Sequence, residues 1–210
     1  MENKKRDRIV NAAMKEFRYG YKRASTETIV REAGISKGLL FHYFGTKENL
    51  YEFLVRYAMD VLQKEYFDIL NLGQRDILEG IWQQALLKRD ISDKYPHIYD
   101  FLNGIYTHIE DTPKVEISSL YIEKQKTAME DMYKHCDTTL FREDVDPKRA
   151  VNLIWWAIEG FYVVEETKMA YMDGELVQNY EHFLRELRSY LDTFRLCFYK
   201  TSTGEQGNLI

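Results

Sequence analysis

At 210 residues, with three prolines, eleven glycines and two cysteines, the chain is long enough to bury a substantial core; the scarcity of turn formers and thiols argues against a turn-rich β architecture or a disulfide framework. A net charge of −5 argues against a general nucleic-acid binder. The charge is unevenly spread, however: residues 1–50 hold 11 lysines and arginines against 6 aspartates and glutamates, while residues 51–210 hold 18 against 28, and phosphate affinity needs only a local basic head.

The chain opens Met1-Glu2-Asn3-Lys4-Lys5-Arg6 with no apolar run behind it, so no secretory signal is expected. Ile9, Ala13 and Phe17 recur on one helical face, with Val10 and Met14 beside them, and Gly20 is expected to end this first helix. Ser25 is placed to cap a second helix with Ile29, Val30 and Ala33 on its inner side, broken by Gly34. Ser36 is placed to cap a short third helix running to about Phe44, and Gly45 breaks that one. A long fourth helix is expected from Thr46 to about Leu70, carrying Leu50, Phe53, Leu54, Tyr57, Met59 and Leu62. Further helices are expected at about 74–88 and 95–109. Thr112-Pro113 and Asp146-Pro147 each read as a cap followed by a first-turn proline, starting helices to about His135 and Tyr171. A last helix is expected at about 175–199, followed by a flexible polar tail at 201–210. Neither internal repeats nor strand alternation stand out, and no segment approaches the ~18 apolar residues of a membrane span.

Two short helices around a glycine turn, Ser25 to Phe44, form a helix-turn-helix candidate. The bracing helix needs an apolar inner face, the turn needs a residue that tolerates positive φ, and the second helix must offer its exposed first turn to base edges in a major groove. Ile29, Val30 and Ala33 meet the first need, Gly34 with Ile35 the second, and Ser36-Lys37-Gly38-Leu39 the third.

The stretch Ser25–Leu50, STETIVREAGISKGLLFHYFGTKENL, resembles the signature of the tetracycline-repressor (TetR) family, and Ile9, Ala12, Ala13, Phe17 and Gly20 resemble that family's first helix. The resemblance covers about 45 residues and implies an all-α fold: a three-helix helix-turn-helix DNA-binding head plus a larger helical ligand-binding and dimerisation body. It implies a head at 1–46, an effector-binding and dimerisation domain at 47–200, and a regulator that binds a palindromic operator as a homodimer and is released by a small molecule. Carried over residue by residue, Ser25 and Thr26 open the bracing helix, where N–H groups and hydroxyls can hold a phosphate. Lys37, Gly38 and Leu39 lie where the family meets bases or flanking backbone, His42 and Tyr43 where it sets polar ring groups on DNA, and Lys47 where it grips a phosphate. Leu40 and Phe44 are expected in the core. Three positions depart from the pattern. Leu39 stands in place of a small polar residue and either contacts a thymine methyl or packs in the core; Phe41 replaces a tyrosine; Thr28 leaves the capping box incomplete.

In the body, the helix through Leu153, Ile154, Trp155, Ile158, Phe161 and Val164 is apolar nearly all round, so it is expected to bury more than one side. Together with the last helix it is the dimerisation candidate, through Ile158, Gly160, Phe161, Phe183, Leu187, Leu191 and Phe194; intramolecular core is the competing reading. Trp82, Tyr106, Tyr121, Trp155, Glu159 and Tyr162 are candidates for an effector pocket, where aromatic rings with a buried carboxylate suit a cationic ligand. Such rings are also ordinary core. The five histidines are scattered, and no nucleophile, phosphate-loop or metal-ligand spacing is present, so neither enzyme chemistry, a metal nor another cofactor is expected. The expectation is a soluble, cytoplasmic protein that partners double-stranded DNA, an effector and a second copy of itself, with no membrane. A helical ligand-binding or protein-interaction module without DNA function is the alternative, and it leaves the basic head unexplained.

Overall fold

Helices make up almost all the regular structure among the described residues, which in this computed structural model are 3–70, 73–108, 110, 113, 127, 130–131, 134–171 and 180–201. In chain order they are α1 (Asn3–Phe17), α2 (Thr26–Ala33), α3 (Lys37–Phe44), α4 (Lys47–Leu62), α5 (Ile77–Lys94), α6 (Ile98–Thr107), α7 (Pro147–Tyr171) and α8 (Tyr180–Phe198). The β geometry among them is one isolated antiparallel bridge, Phe141 with Tyr199. No helix among the described residues is long and apolar enough to cross a membrane. The fold class expected from the sequence is the one observed.

The chain divides into two compact units, one of Met1–Leu70 with Asp90–Lys126 and the other of Asn71–Arg89 with Thr127–Ile210. In the first, α1 lays Ile9, Ala13 and Phe17 into a buried core with Ile29, Leu40, Leu50, Leu54 and Phe101. Burial of each large apolar side chain stabilises by roughly 1.5–3 kcal/mol. Packing of α6 on α1 is tight: a Cβ on Gly104 would come within 2.6 Å of the Arg18 carbonyl oxygen. Arg18 and Asp100 reinforce this crossing with an ion pair at 3.6 Å, and Asp100 also meets His97 Nδ1 at 3.4 Å.

Local chemistry sets the helix ends. Ser25, Ser36 and Thr46 accept the backbone N–H groups of Thr28, Leu39 and Asn49, capping α2, α3 and α4. Gly34 takes φ 63°, the left-handed conformation that the turn between α2 and α3 demands and that glycine adopts without steric penalty. The fourth helix does not run to Leu70 as one regular element. It ends at Leu62 and continues as a π-helical turn, Gln63–Phe67, closed by the Asp68 N–H on the Gln63 carbonyl at 2.9 Å. Before α6, the chain breaks at Pro96 and at His97, whose φ of 69° makes it a non-glycine residue in left-handed conformation.

In the second unit, Ile77, Leu78, Ile81 and Ala85 of α5 pack with Ile154 and Ile158 of α7 and with Phe183, Leu184, Leu187 and Leu191 of α8. Asp76 ties this unit together. Its carboxylate caps α5 through the N–H groups of Leu78 and Glu79, and accepts the Tyr199 hydroxyl and an Arg195 guanidinium N–H, both at 2.9 Å. Burial of Tyr199 beside this anion pushes its phenol far above the usual tyrosine range. The expected helix from Thr112 to about His135 and the start of the last helix at 175–179 fall largely outside the described residues, as does the tail beyond 201.

Candidate nucleic-acid interface

The residues expected to meet DNA come together in the first unit at three helix starts and one helix end. Ser25 and Thr26 open α2, Lys37, Gly38 and Leu39 open α3, His42 and Tyr43 sit in the last turn of α3, and Lys47 opens α4. Lys37, Gly38, His42 and Tyr43 are exposed, and a Cβ on Gly38 would meet nothing within 4 Å. Leu40 is buried, as expected of a core residue, and Phe44 packs on Phe53 at 5.2 Å between ring centroids. Leu39 is half-buried, between its two readings.

Three residues that the sequence pattern did not single out shape this surface. Glu16 of α1 accepts the Ser25 backbone N–H at 2.9 Å. That bond supplies, from another helix, the acidic partner missing at Thr28, so the incomplete capping box is completed in space. Tyr21 stacks on Phe17 at 6.0 Å and meets Tyr51 edge-on at 5.3 Å, and its ring lies 4.7 Å beneath the Lys47 ammonium. Burial lowers the Lys47 ammonium below the usual lysine range, while the nearby Glu16 carboxylate works against that shift. The tyrosine platform thus fixes the direction of a long side chain that would otherwise sample many rotamers. The third residue is Glu27, whose carboxylate accepts the Lys37 ammonium; that hydrogen bond holds Glu27 below the usual carboxylate range. Ten residues separate the pair, so only the crossing of α2 over α3 makes it.

The other expected sites lie elsewhere. Trp82 on α5 and Trp155, Glu159 and Tyr162 on α7 belong to the second unit. Arg188 covers the Trp82 ring at 5.3 Å and Lys88 covers Tyr162 at 4.8 Å, so two of these rings already face cations of this chain. Glu159 is exposed rather than a buried carboxylate. Tyr121 lies outside the described residues, as does the side chain of Tyr106.

Of the residues expected at a dimer interface, Ile158, Phe183, Leu187 and Leu191 are buried within the second unit itself, while Phe161 and Phe194 are half-buried. Gly160 is exposed, with open space where a Cβ would stand. Apolar surface facing outward is carried instead by Leu153, Trp156, Val163 and Val164 of α7 and by Tyr190 and Leu196 of α8. Leu153, Trp156, Gly160, Val163 and Val164 recur at three- and four-residue steps, one stripe of a helix.

The family model described as bacterial regulatory proteins, tetR family, matches residues 9–54, which span α1 to the middle of α4. No curated protein matches the chain. Among solved structures, a TetR family transcriptional regulator from Chloroflexus aurantiacus is 14% identical with a TM-score of 0.62, covering 96% of each chain. The TetR family protein CprB from S. coelicolor is 16% identical with a TM-score of 0.62, covering 96% of this chain and 90% of its own. The ketosteroid transcriptional regulator KstR2 of Mycobacterium tuberculosis is 18% identical with a TM-score of 0.57, covering 92% of this chain and 94% of its own. At these identities the likeness is one of fold, and it extends over the whole body as well as the head.

Proposed function

Because residues 9–54 make this chain a member of the tetR family of bacterial regulatory proteins, and hence a DNA-binding transcriptional regulator, we propose that it acts as a homodimeric repressor on a palindromic operator and leaves it when a small molecule binds. The observation that carries the DNA reading is the clustering of exposed Lys37, Gly38, His42 and Tyr43 on α3 beside a Lys47 aimed by Tyr21. Lys47, Ser25 and Thr26 hold phosphates, Lys37 to Leu39 meet base edges, and His42 and Tyr43 flank them. On this reading residues 1–46, with Lys47 at their edge, make the DNA contacts, and 47–200 carry dimerisation and most of the effector-binding body. Dimerisation through α7 and α8 is supported by the exposed apolar side chains of Leu153, Trp156 and Val164 along one stripe of α7. Two recognition helices then lie about one DNA turn apart, ~34–36 Å or somewhat more, and a shift of α4 on effector binding changes that separation. On this reading it works beside the chromosome, in the cytoplasm.

The test is selection of bound fragments from a genomic library, followed by titration of the winner between about 50 and about 200 mM salt. A palindrome whose affinity falls steeply with salt, and is weakened by Tyr43→Ala, is the expected result. Absence of enrichment at low salt would turn the protein into an interaction module.

A further inference from the structure

The first unit contains a cavity of 490 Å³ between α1, the end of α4 with its π-helical turn, and the end of α5. Its size is that of a small-molecule site, and π-helical turns are common at functional sites. It is distinct from the aromatic residues of the second unit considered above. We propose that this cavity is an effector site for a small zwitterion carrying an aromatic ring, an α-amino acid or a molecule of that shape. The inference rests on the regulator reading only for what the ligand does, not for whether it binds.

The charge of the lining selects the class. Arg6, Lys64 and Lys94 contribute three cations, and Asp7, Asp60 and Glu65 three anions. Some of these satisfy one another: Lys94 pairs with Glu65, which also accepts the Tyr95 hydroxyl at 3.0 Å, and Arg6 meets Asp7 at 3.4 Å. Among the described residues, Asp60 and Lys64 make no ion pair and the Asn11 amide makes no hydrogen bond. Asp60 and Lys64 stand one helical turn apart, so an anion acceptor and a cation acceptor are offered side by side. A purely anionic ligand would meet Asp7, Asp60 and Glu65, and a purely cationic one Arg6, Lys64 and Lys94. A zwitterion places its carboxylate at Lys64 and its ammonium at Asp60.

The ring is selected by Tyr57 and Tyr95, which meet edge-on at 6.4 Å in the cavity wall. The Tyr57 hydroxyl makes no hydrogen bond among the described residues, and burial raises its phenol above the usual range. It therefore stays a neutral donor at any physiological pH. Tyr57 also stands in a run of ring contacts that ends at the recognition helix: Tyr57 on Phe53 at 6.1 Å, and Phe53 on Phe44 at 5.2 Å. A ligand ring seated against Tyr57 thus presses on the same row that supports the end of α3.

Calorimetry on the full chain with three molecules of one ring and different charge tests the class: L-tyrosine, tyramine and 3-(4-hydroxyphenyl)propanoate. L-Tyrosine should bind once per chain, and each single-charge analogue about tenfold weaker or worse. Asp60→Asn and Lys64→Met, both at exposed positions, should each weaken L-tyrosine about tenfold without lowering the melting temperature. L-Tyrosine should also change the affinity for the selected operator by about fivefold or more, and not in the Lys64→Met variant. The proposal is overturned by absence of saturable L-tyrosine binding, by an analogue binding equally well, by binding indifferent to both substitutions, or by binding that leaves operator affinity unchanged. A chain that binds L-tyrosine but no duplex at any salt would sink the regulator reading, and the calorimetry would still decide the site.

Discussion

Lys47 shows how far a single residue can be read before the fold is known. Its position after Thr46 marks it as a phosphate-gripping lysine by resemblance, but nothing local shows that Tyr21, twenty-six residues earlier, lies beneath its ammonium. That contact exists only because α1 and α4 cross, with Phe17, Tyr21 and Tyr51 in mutual ring contact. Lys47→Gln should lower operator affinity several-fold and reduce the slope of log affinity against log salt by about one, as loss of one phosphate contact requires. Tyr21→Leu should lower affinity less and leave the slope near that of the wild type, because the charge remains and only its aim is lost. Glu27 has the opposite sign. Its carboxylate holds Lys37 in the free chain, so Glu27→Gln should raise affinity for random duplex DNA and steepen the salt slope by about one, measured by fluorescence anisotropy. Ser25 and Ser36 were legible as caps, and Thr46 as a helix start, because a cap acts within four residues; Glu16 and Glu27 were not, because their partners come from another helix.

Helix existence could be read from apolar spacing alone, and helix ends where capping chemistry is local. Asp146-Pro147 is such a case: Asp146 accepts the N–H groups of Lys148 and Arg149, and α7 starts where expected. The start of α5 is set by Asp76, whose carboxylate also serves Tyr199 and Arg195, so its capping role is visible only when α8 is in place. Asp76→Ala removes a helix cap and leaves the buried Tyr199 hydroxyl without its acceptor, which should destabilise the second unit by about 2–3 kcal/mol in chemical denaturation. The π-helical turn after α4 had no signature in the apolar pattern, since Tyr66 and Phe67 continue the helical spacing whether or not one extra residue is inserted. Ser36→Ala should cost about 1 kcal/mol and loosen the first turn of α3, seen as faster amide exchange at Leu39 and Leu40.

At the scale of the whole molecule, α7 explains why an interface is harder to read than a fold. A helix apolar nearly all round does not say which side meets its own chain; α5 and α8 claim Ile154 and Ile158, and the remainder, Leu153, Trp156, Val163 and Val164, faces outward. Trp156 is 63% exposed, so Trp156→Glu should leave helicity and the second unit's core intact. If that stripe seats a second copy, the variant should sediment as a monomer and lose about a hundredfold or more in operator affinity, since two half-sites are no longer held together. Gly160→Ala separates the same possibilities differently: within the chain it meets nothing and gains about 1 kcal/mol of helix propensity, so any weakening must come from a close partner. The packing of α6 on α1 has its own consequence, through the absence of any room for a side chain at Gly104 and the burial of Phe101 against Tyr51. A head grafted onto a foreign body at residue 46 would leave behind Tyr51, Phe101 and Gly104, exposing the rings of Phe17 and Tyr21 to water. A chimera that carries residues 1–46 onto a foreign body will therefore need α4 and α6 transplanted with them, because the joint is built from three separate stretches of the chain.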